Sequence, residues 1–317
     1  METRKIIKFG KNSFIVSLPK EWMVQHRLQK GSELHVETKP GAVEFSVAAV
    51  EPKEWTGRID CKNKSISSLE TELSCLYKRG CNTIVVEGEY LPEKVNEVRE
   101  RLLKLAGMEI VEQDLHKIVV KDLIDIKQIM LPTLINRMDM MVRSMFQDTV
   151  SKEAVPSKVL HDRDKDVNRL QLLVARMMRI VFDNPNMAKT LKISVRMAHY
   201  YARIAWALER IADYVKRANG DMEASGKAAR KRLKEFLNFV FQKYLATIKF
   251  YYKGDEKKAF ELHEEIVGHL SVYTKHIYEA KETTEVLALE NIKNVLRDLR
   301  IILRITAEIN ALEGEKA

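Results

Sequence analysis

Proline and glycine, the residues that most often interrupt helices, are spread very unevenly along this chain of 317 residues. No proline follows Pro185, and no glycine lies between residues 108 and 219. Apolar residues at helical spacing with few breakers favour long helices, whereas the breaker-dense first third favours short strands and turns. The distribution therefore predicts a multidomain α+β protein with a mixed front and a helical body.

The body, residues 123–317, has breakers only at or near a few junctions. We predict six helices in it, at residues 123–149, 155–183, 187–219, 225–252, 255–281 and 284–312. The connections between them are short, which makes neighbouring helices antiparallel. Six such helices in two runs of three predict two consecutive three-helix bundles.

The front of the chain divides into two parts. Residues 1–52 predict four short strands and one short helix, with a turn at Lys39-Pro40-Gly41 between the last two strands. A unit this small buries little apolar surface alone, so we expect it to dimerise. Residues 53–122 predict a βαβαββ order, a small α/β connecting domain without a phosphate-binding glycine loop or a catalytic cluster.

Composition narrows the class of protein. The chain has a formal net charge of +9 and 45% hydrophobic residues. A modest basic excess is compatible with nucleic acid, an anionic membrane face or small anions as partners. Three cysteines without a Cys-x-x-Cys pair indicate neither a disulfide framework nor a cysteine metal site. The first residues have no apolar signal core, and no apolar run approaches membrane-spanning length. We therefore expect a cytoplasmic protein without membrane insertion.

Two acidic residues stand out in the third predicted helix. Glu209 and Asp213 are four residues apart, so they share one face and repel each other. A hard cation would relieve that repulsion, because carboxylate oxygens suit such ions. Asp162 and Asp166, also four apart, are candidate ligands from the second helix, whereas Asp164 is rotated away from both. We expect a divalent or trivalent ion such as Fe, Mn, Mg or Zn, of unknown identity.

Other interpretations of this helix remain open. Asp139 on the first helix is a further candidate ligand. The small side chains of Ala202, Ala205 and Ala212 are expected to leave the carboxylates sterically open. Glu209 could instead pair with a nearby lysine or arginine. Four arginines at intervals of seven form a stripe that either pairs with acids on neighbouring helices or faces an anion or a partner: Arg196, Arg203, Arg210 and Arg217.

The stretch ARIAWALERIADYVKRA, residues 202–218, resembles the signature helix of the PhoU family of phosphate-uptake regulators. The resemblance implies two three-helix bundles, an acidic metal-binding motif in each, dimers, and repression of phosphate uptake or its signalling. Glu209 and Asp213 match the motif. In the second bundle Leu303 and Ala307 occupy the motif positions and Glu308 is displaced, so we expect at most one site, or a second one rebuilt from other residues: Glu261, His263 or Glu264.

The front resembles a different family. Residues 5–36 are similar to AbrB/SpoVT-type domains, in which two chains interlock hairpins into a β-barrel-like dimer that binds double-stranded DNA. An AbrB-like head on a PhoU-like body resembles the archaeal form of the regulator. Before Gly31 there are seven basic residues against two acidic ones, and six of the seven are candidate DNA contacts: Arg4, Lys5, Lys8, Lys11, Lys20 and Arg27. Trp22, Met23 and Val24, where family members often carry arginines, favour packing instead.

Three functions follow as hypotheses. The first is a dimeric regulator that binds DNA through its head and metal through its body. The second is an adaptor without DNA binding, which docks on a phosphate transporter or a sensor protein and uses the head only to dimerise. The third, an enzyme, is disfavoured, because the histidines of the body are scattered and no nucleophile–base pair is evident.

Overall fold

The computed structural model describes residues 2–39, 41–47, 54–89, 91–151 and 155–314. It divides into two compact units, Met1–Lys53 and Glu54–Ala317. Pro40, on which the predicted turn depends, and the predicted domain boundary at residues 52 and 53 lie outside the described residues. The prediction of a strand-rich front followed by a helical body is confirmed.

The first unit consists of two separate hairpins and a short helix. Its elements are β1 (Ile7–Phe9), β2 (Ser13–Ile15), α1 (Lys20–Gln25), β3 (Leu34–Lys39) and β4 (Ala42–Val47). β1 pairs with β2 and β3 with β4, both antiparallel, in two distinct two-stranded sheets. Gly10 has φ +69° in the first turn, a conformation that glycine adopts without steric cost. The interlocked barrel stays a prediction.

The described residues of this unit form no core of their own. Every residue in it whose burial is described is exposed or half-buried. Large apolar side chains of its strands are exposed to solvent: Phe14 is 70% exposed, Phe9 65% and Ile7 60%. Two-stranded hairpins are at best marginally stable alone in water, so the apolar surface requires a cover.

The second unit begins with a four-stranded sheet. Its elements are β5 (Thr56–Asp60), α2 (Ile66–Lys78), β6 (Thr83–Glu87), α3 (Leu91–Leu102), β7 (Met108–Gln113) and β8 (Lys117–Asp122). The strands lie in the order β5-β6-β8-β7, with β5 and β6 parallel and the other pairs antiparallel. This follows the predicted order of elements, and one apolar cluster lies between the sheet and the two helices.

The helical body follows the sheet. Its helices are α4 (Leu131–Val150), α5 (Ser157–Asp183), α6 (Pro185–Thr190), α7 (Val195–Ala224), α8 (Lys227–Lys253), α9 (Glu256–Glu279) and α10 (Thr283–Gly314). α4, α5 and α7 pack against one another, as do α8, α9 and α10, and α7 also packs along α10. Among the described helices, none has the length and apolar composition needed to cross a membrane.

Two predicted helix starts are wrong. The first long helix begins at Leu131 instead of residue 123, because Pro132 takes a first-turn position where its missing N–H costs nothing. The third begins at Val195 instead of residue 187. A turn with Lys192 at φ +51° separates it from the short α6, and the Ser194 side chain caps it by accepting a hydrogen bond from the Met197 N–H.

A buried arginine joins the sheet to the helical body. Arg176 of α5 is 1% exposed and pairs with the Asp122 carboxylate at the end of β8 at 2.7 Å. It also donates to the carbonyls of Tyr77 at 2.8 Å and Cys81 at 3.0 Å, and its guanidinium lies 4.8 Å from the Tyr77 ring centroid. One guanidinium group thus satisfies polar groups of α2, of the turn that follows α2 and of β8.

Candidate acidic site on the central helix

α7 carries the acidic pair and is covered on two sides. Its apolar seam faces α4 and α5, and α10 packs against another part of it. Glu209 and Asp213 are half-buried between these contacts. Ala205 and Ala212 are fully buried core residues, so for these two the expectation of open space around the carboxylates is wrong, whereas Ala202 is half-buried. Their small side chains instead allow neighbouring helices to approach α7 closely.

Both oxygens of Asp213 have cationic partners. Lys216 Nζ lies 2.8 Å from one and Arg217 lies 2.7 Å from the other, each within the next turn of α7. Lys216 also reaches Asp164 of α5 at 2.6 Å. The lysine ammonium therefore lies between two carboxylates from different helices and neutralises charge on both.

The structure turns Asp164, and not Asp162 or Asp166, toward α7. Asp162 is exposed and pairs with Lys165 of its own helix at 3.1 Å. Asp166 is exposed and lines a separate cavity together with Arg137 and Arg169, and neither Glu209 nor Asp213 lines that cavity. The buried residues of α5 at positions 160 and 167 are the signal that could have identified Asp164, because it lies beside that seam at helical spacing.

Glu209 differs from Asp213 in having no hydrogen-bond or ion-pair partner among the residues that the structure describes. Burial raises the pKa of Glu209, and the nearby charges of Asp213 and Asp164 raise it further. Lys216 and Arg210 act in the opposite direction but do not cancel the effect. The site thus holds an acidic group that favours protonation or an added cation.

A second acid, Asp298 of α10, lies against the other side of α7 and was missed in the sequence. It is 1% exposed, and Arg210 Nε is 3.1 Å from one of its oxygens. This contact is an ion pair by distance, but neither oxygen has a partner with hydrogen-bond geometry among the described residues. Burial raises the pKa of Asp298 to about 7, with Glu209 adding to the rise and Arg210 opposing it. Its position on the buried seam of α10, next to Leu299, was the available signal.

The arginine stripe of α7 is directed mainly at acids. Arg203 pairs with Glu308 of α10 at 2.9 Å, Arg210 pairs with Asp298, and Arg217 pairs with Asp213. The Arg210 guanidinium also lies 4.4 Å from the centroid of the Trp206 ring. For Arg203 and Arg210 the predicted pairing with acids on a neighbouring helix is what the structure shows.

The remaining candidate ligands lie elsewhere. Asp139 is buried in the α4–α8 contact, where it accepts hydrogen bonds from Tyr244 Oη at 2.7 Å and Arg143 Nε at 2.8 Å. His263 accepts a hydrogen bond from Arg300 Nε at 3.3 Å and lies 3.2 Å from the neighbouring Glu264. Leu303 and Ala307, at the second motif position, are buried apolar residues.

The side chains around Glu209 and Asp213 meet only part of what a metal ion requires. Carboxylate oxygens are suitable ligands for a hard cation, and Glu209 is free to bind one. However, Lys216 and Arg217 occupy both oxygens of Asp213. Over the described ranges, no group of three or more His, Cys, Asp or Glu side chains is placed to hold a metal ion. The residues as arranged therefore do not fit a metal ion unless Lys216 moves.

The helices that carry and surround the acidic pair match a known protein family. Residues 130–219 match the family model described as PhoU domain. The match spans α4 to most of α7 and includes Glu209 and Asp213, which supports assignment to the PhoU family. Searches of the curated proteins and of the solved structures found no significant match.

Proposed function

We propose that this protein is a regulator of phosphate uptake or of phosphate signalling. The observation that carries the proposal is the PhoU-domain match over residues 130–219, which contains the acidic pair. The test is deletion of the gene in the source organism, followed by measurement of labelled phosphate uptake in phosphate-rich medium. We expect uptake to rise after deletion and to return to its original rate on complementation. Unchanged uptake in the deletion strain would contradict the proposal.

The first unit is proposed to form a homodimer. Its exposed apolar side chains and its lack of any buried described residue are the support, because a second copy would supply the missing cover. Replacing Ile7 and Phe14 together by Asp is expected to convert the dimer to a monomer, measured by light scattering coupled to size exclusion. The matched control replaces Leu103 and Leu115 of the second unit by Asp, because these side chains are about as exposed as Phe14. It should leave the measured mass unchanged. A dimer that survives the first double variant would argue against this interface.

DNA binding through the first unit is the finer part of the proposal. The six predicted contact residues are exposed, from Arg4 to Arg27. Arg4 pairs with Glu2 at 2.6 Å, whereas Lys5 and Lys8 make no ion pair with any described carboxylate. Exposed cations without partners can neutralise phosphates and give an affinity that falls steeply with salt.

The double variant Lys5→Glu/Lys8→Glu tests this surface. We expect it to weaken retention of duplex DNA by at least about tenfold at low salt and to flatten the salt dependence. Lys62→Glu/Lys158→Glu makes the same change in net charge on the second unit and should retain DNA as the wild type does. Equal weakening in both variants would show that only overall charge matters.

The adaptor alternative has its own support. Trp22 and Met23 are half-buried and Val24 is 68% exposed, so this stretch presents apolar surface where base contacts would need polar groups. An adaptor predicts no retention of duplex DNA by the wild type even at low salt, and retention in a mobility-shift assay would exclude it.

Metal binding is proposed to require departure of Lys216 from Asp213, with Asp164 as the ligand from α5. The variant Lys216→Met is expected to increase the Mn content after equilibration with Mn²⁺, and Asp213→Ala is expected to decrease it, both by elemental analysis. Lys165→Met, which breaks an exposed pair on α5, is the control and should not change the content. An Asp213→Ala protein that holds as much metal as the wild type would refute the proposed site.

A further inference from the structure

Two cavities adjoin at one end of the helical body, where α4 and α7 begin and α8 and α10 end. The larger has a volume of about 590 Å³ and the smaller about 340 Å³. Pro132, Met197 and Tyr201 line both. Because they share these walls, the two cavities form one groove, called here the end groove.

The walls of the end groove are mainly apolar and aromatic. Beyond the shared residues, Met177 and Ile193 line the larger cavity, and Tyr251 and Ile309 line the smaller one. Met130 at the edge of the larger cavity is 66% exposed. Methionine side chains adapt their shape to different apolar partners, and open grooves with such walls accept the apolar face of a helix.

The charges around the end groove have one sign. Lys127 and Lys192 line the larger cavity and Lys253 lines the smaller one, and all three are exposed. Of the lining residues that the structure describes, none is acidic. These lysines also make no ion pair with a carboxylate in the described ranges. The end groove therefore combines an apolar floor with uncompensated positive charge at its rim.

The backbone of Lys192 has an unusual conformation. It occupies the turn between α6 and α7 at φ +51°, a left-handed conformation that glycine or asparagine adopts at lower cost. The chain thus places a long cationic side chain at the rim in a conformation that would suit a smaller residue better.

We propose that the end groove binds an acidic amphipathic helix of a partner protein. The two cavities receive two apolar side chains from successive turns of that helix, and the three lysines pair with acidic residues on its flanks. Complementary charge at the rim of an apolar groove raises the association rate and selects against basic partners. The proposal stands on the groove alone and does not depend on the role in phosphate uptake.

The first test uses the full chain and two designed peptides of about 16 residues, each with a leucine stripe at helical spacing. One peptide carries glutamate on the flanks of the stripe and is labelled with fluorescein, and the matched peptide carries lysine at the same positions. By fluorescence anisotropy we expect the glutamate peptide to bind at least about tenfold more tightly, with an affinity that falls as salt rises. Equal affinities, or no binding of the glutamate peptide, would overturn the proposal.

The second test locates the binding on the protein. The triple variant Lys127→Glu/Lys192→Glu/Lys253→Glu is expected to weaken glutamate-peptide binding by at least about tenfold. Lys62→Glu/Lys158→Glu/Lys227→Glu changes the net charge equally at exposed positions that do not line the end groove, and should bind as the wild type does. Circular dichroism checks that both variants remain helical. Equal affinity of the two variants would overturn the assignment to this groove, as would binding of laurate without binding of the peptide, which would indicate a small amphiphile as ligand.

Discussion

Replacing Asp122 by Ala is expected to lower the free energy of unfolding by about 3–5 kcal/mol. The reason is that the Arg176 guanidinium, buried between the sheet layer and α5, loses the only carboxylate that it pairs with among the described residues. A buried charge that has lost its counter-charge cannot regain its hydration, and this penalty exceeds the value of the intact pair. Urea denaturation followed by circular dichroism measures the change.

Two further variants separate charge from packing. Glu97 is an exposed acid on α3, so Glu97→Ala should change the stability by no more than about 0.5 kcal/mol. Asp122→Leu combined with Arg176→Met removes both buried charges but leaves the carbonyls of Tyr77 and Cys81 without their donor. We expect it to recover only part of the loss. A loss for Asp122→Ala no larger than that for Glu97→Ala would show that the buried pair does not join the layers.

The second large effect concerns pH. Burial raises the pKa of Asp298 to about 7, whereas the carboxyl of an unfolded chain ionises near the ordinary value of about 3.9. Between these values the folded protein holds a proton that the unfolded chain has released. The stabilisation is therefore full below pH 4 and is lost as the pH rises through about 7. Glu209, whose pKa is also raised by burial, contributes with the same sign.

The slope expected for one such proton approaches 1.4 kcal/mol per pH unit at most, in the direction of lower stability at higher pH. Asp298→Asn removes the titrating group, so we expect the variant to lose most of this dependence between pH 4.5 and 7. Asp162→Asn, exposed on α5, should keep the dependence of the wild type. Denaturation midpoints in urea across this pH range provide the measurement, and an unchanged slope in Asp298→Asn would exclude Asp298 as the source.

The helices of the body could be predicted largely from the sequence, because the apolar seam on α7 at Ile204, Leu208 and Ile211 has a regular spacing and few breakers interrupt it. The ends were less predictable. The start of α4 depends on where Pro132 fits in a first turn, and the start of α7 depends on a capping bond from Ser194, and neither feature has a unique signature.

The site was predictable only within one helix. The pairing of Asp213 with Lys216 and Arg217 follows from their spacing along α7. The bridge from Lys216 to Asp164 joins residues 52 positions apart, and the contact of Arg176 with Asp122 joins residues 54 apart. Such contacts depend on how helices and strands rotate against each other, which periodicity in one segment does not specify.

The lack of buried residues in the described part of the first unit has a consequence for how much active protein a cell holds. The second unit has its own core, whereas no described residue of the first unit is buried, so the first unit would gain stability from a cover on its strands. If a second copy is the cover, mass action sets the folded fraction of the first unit, and dilution melts it while the helices persist. Any activity of the hairpins would then switch on above a threshold concentration, which makes the expression level of the gene itself an input to its function.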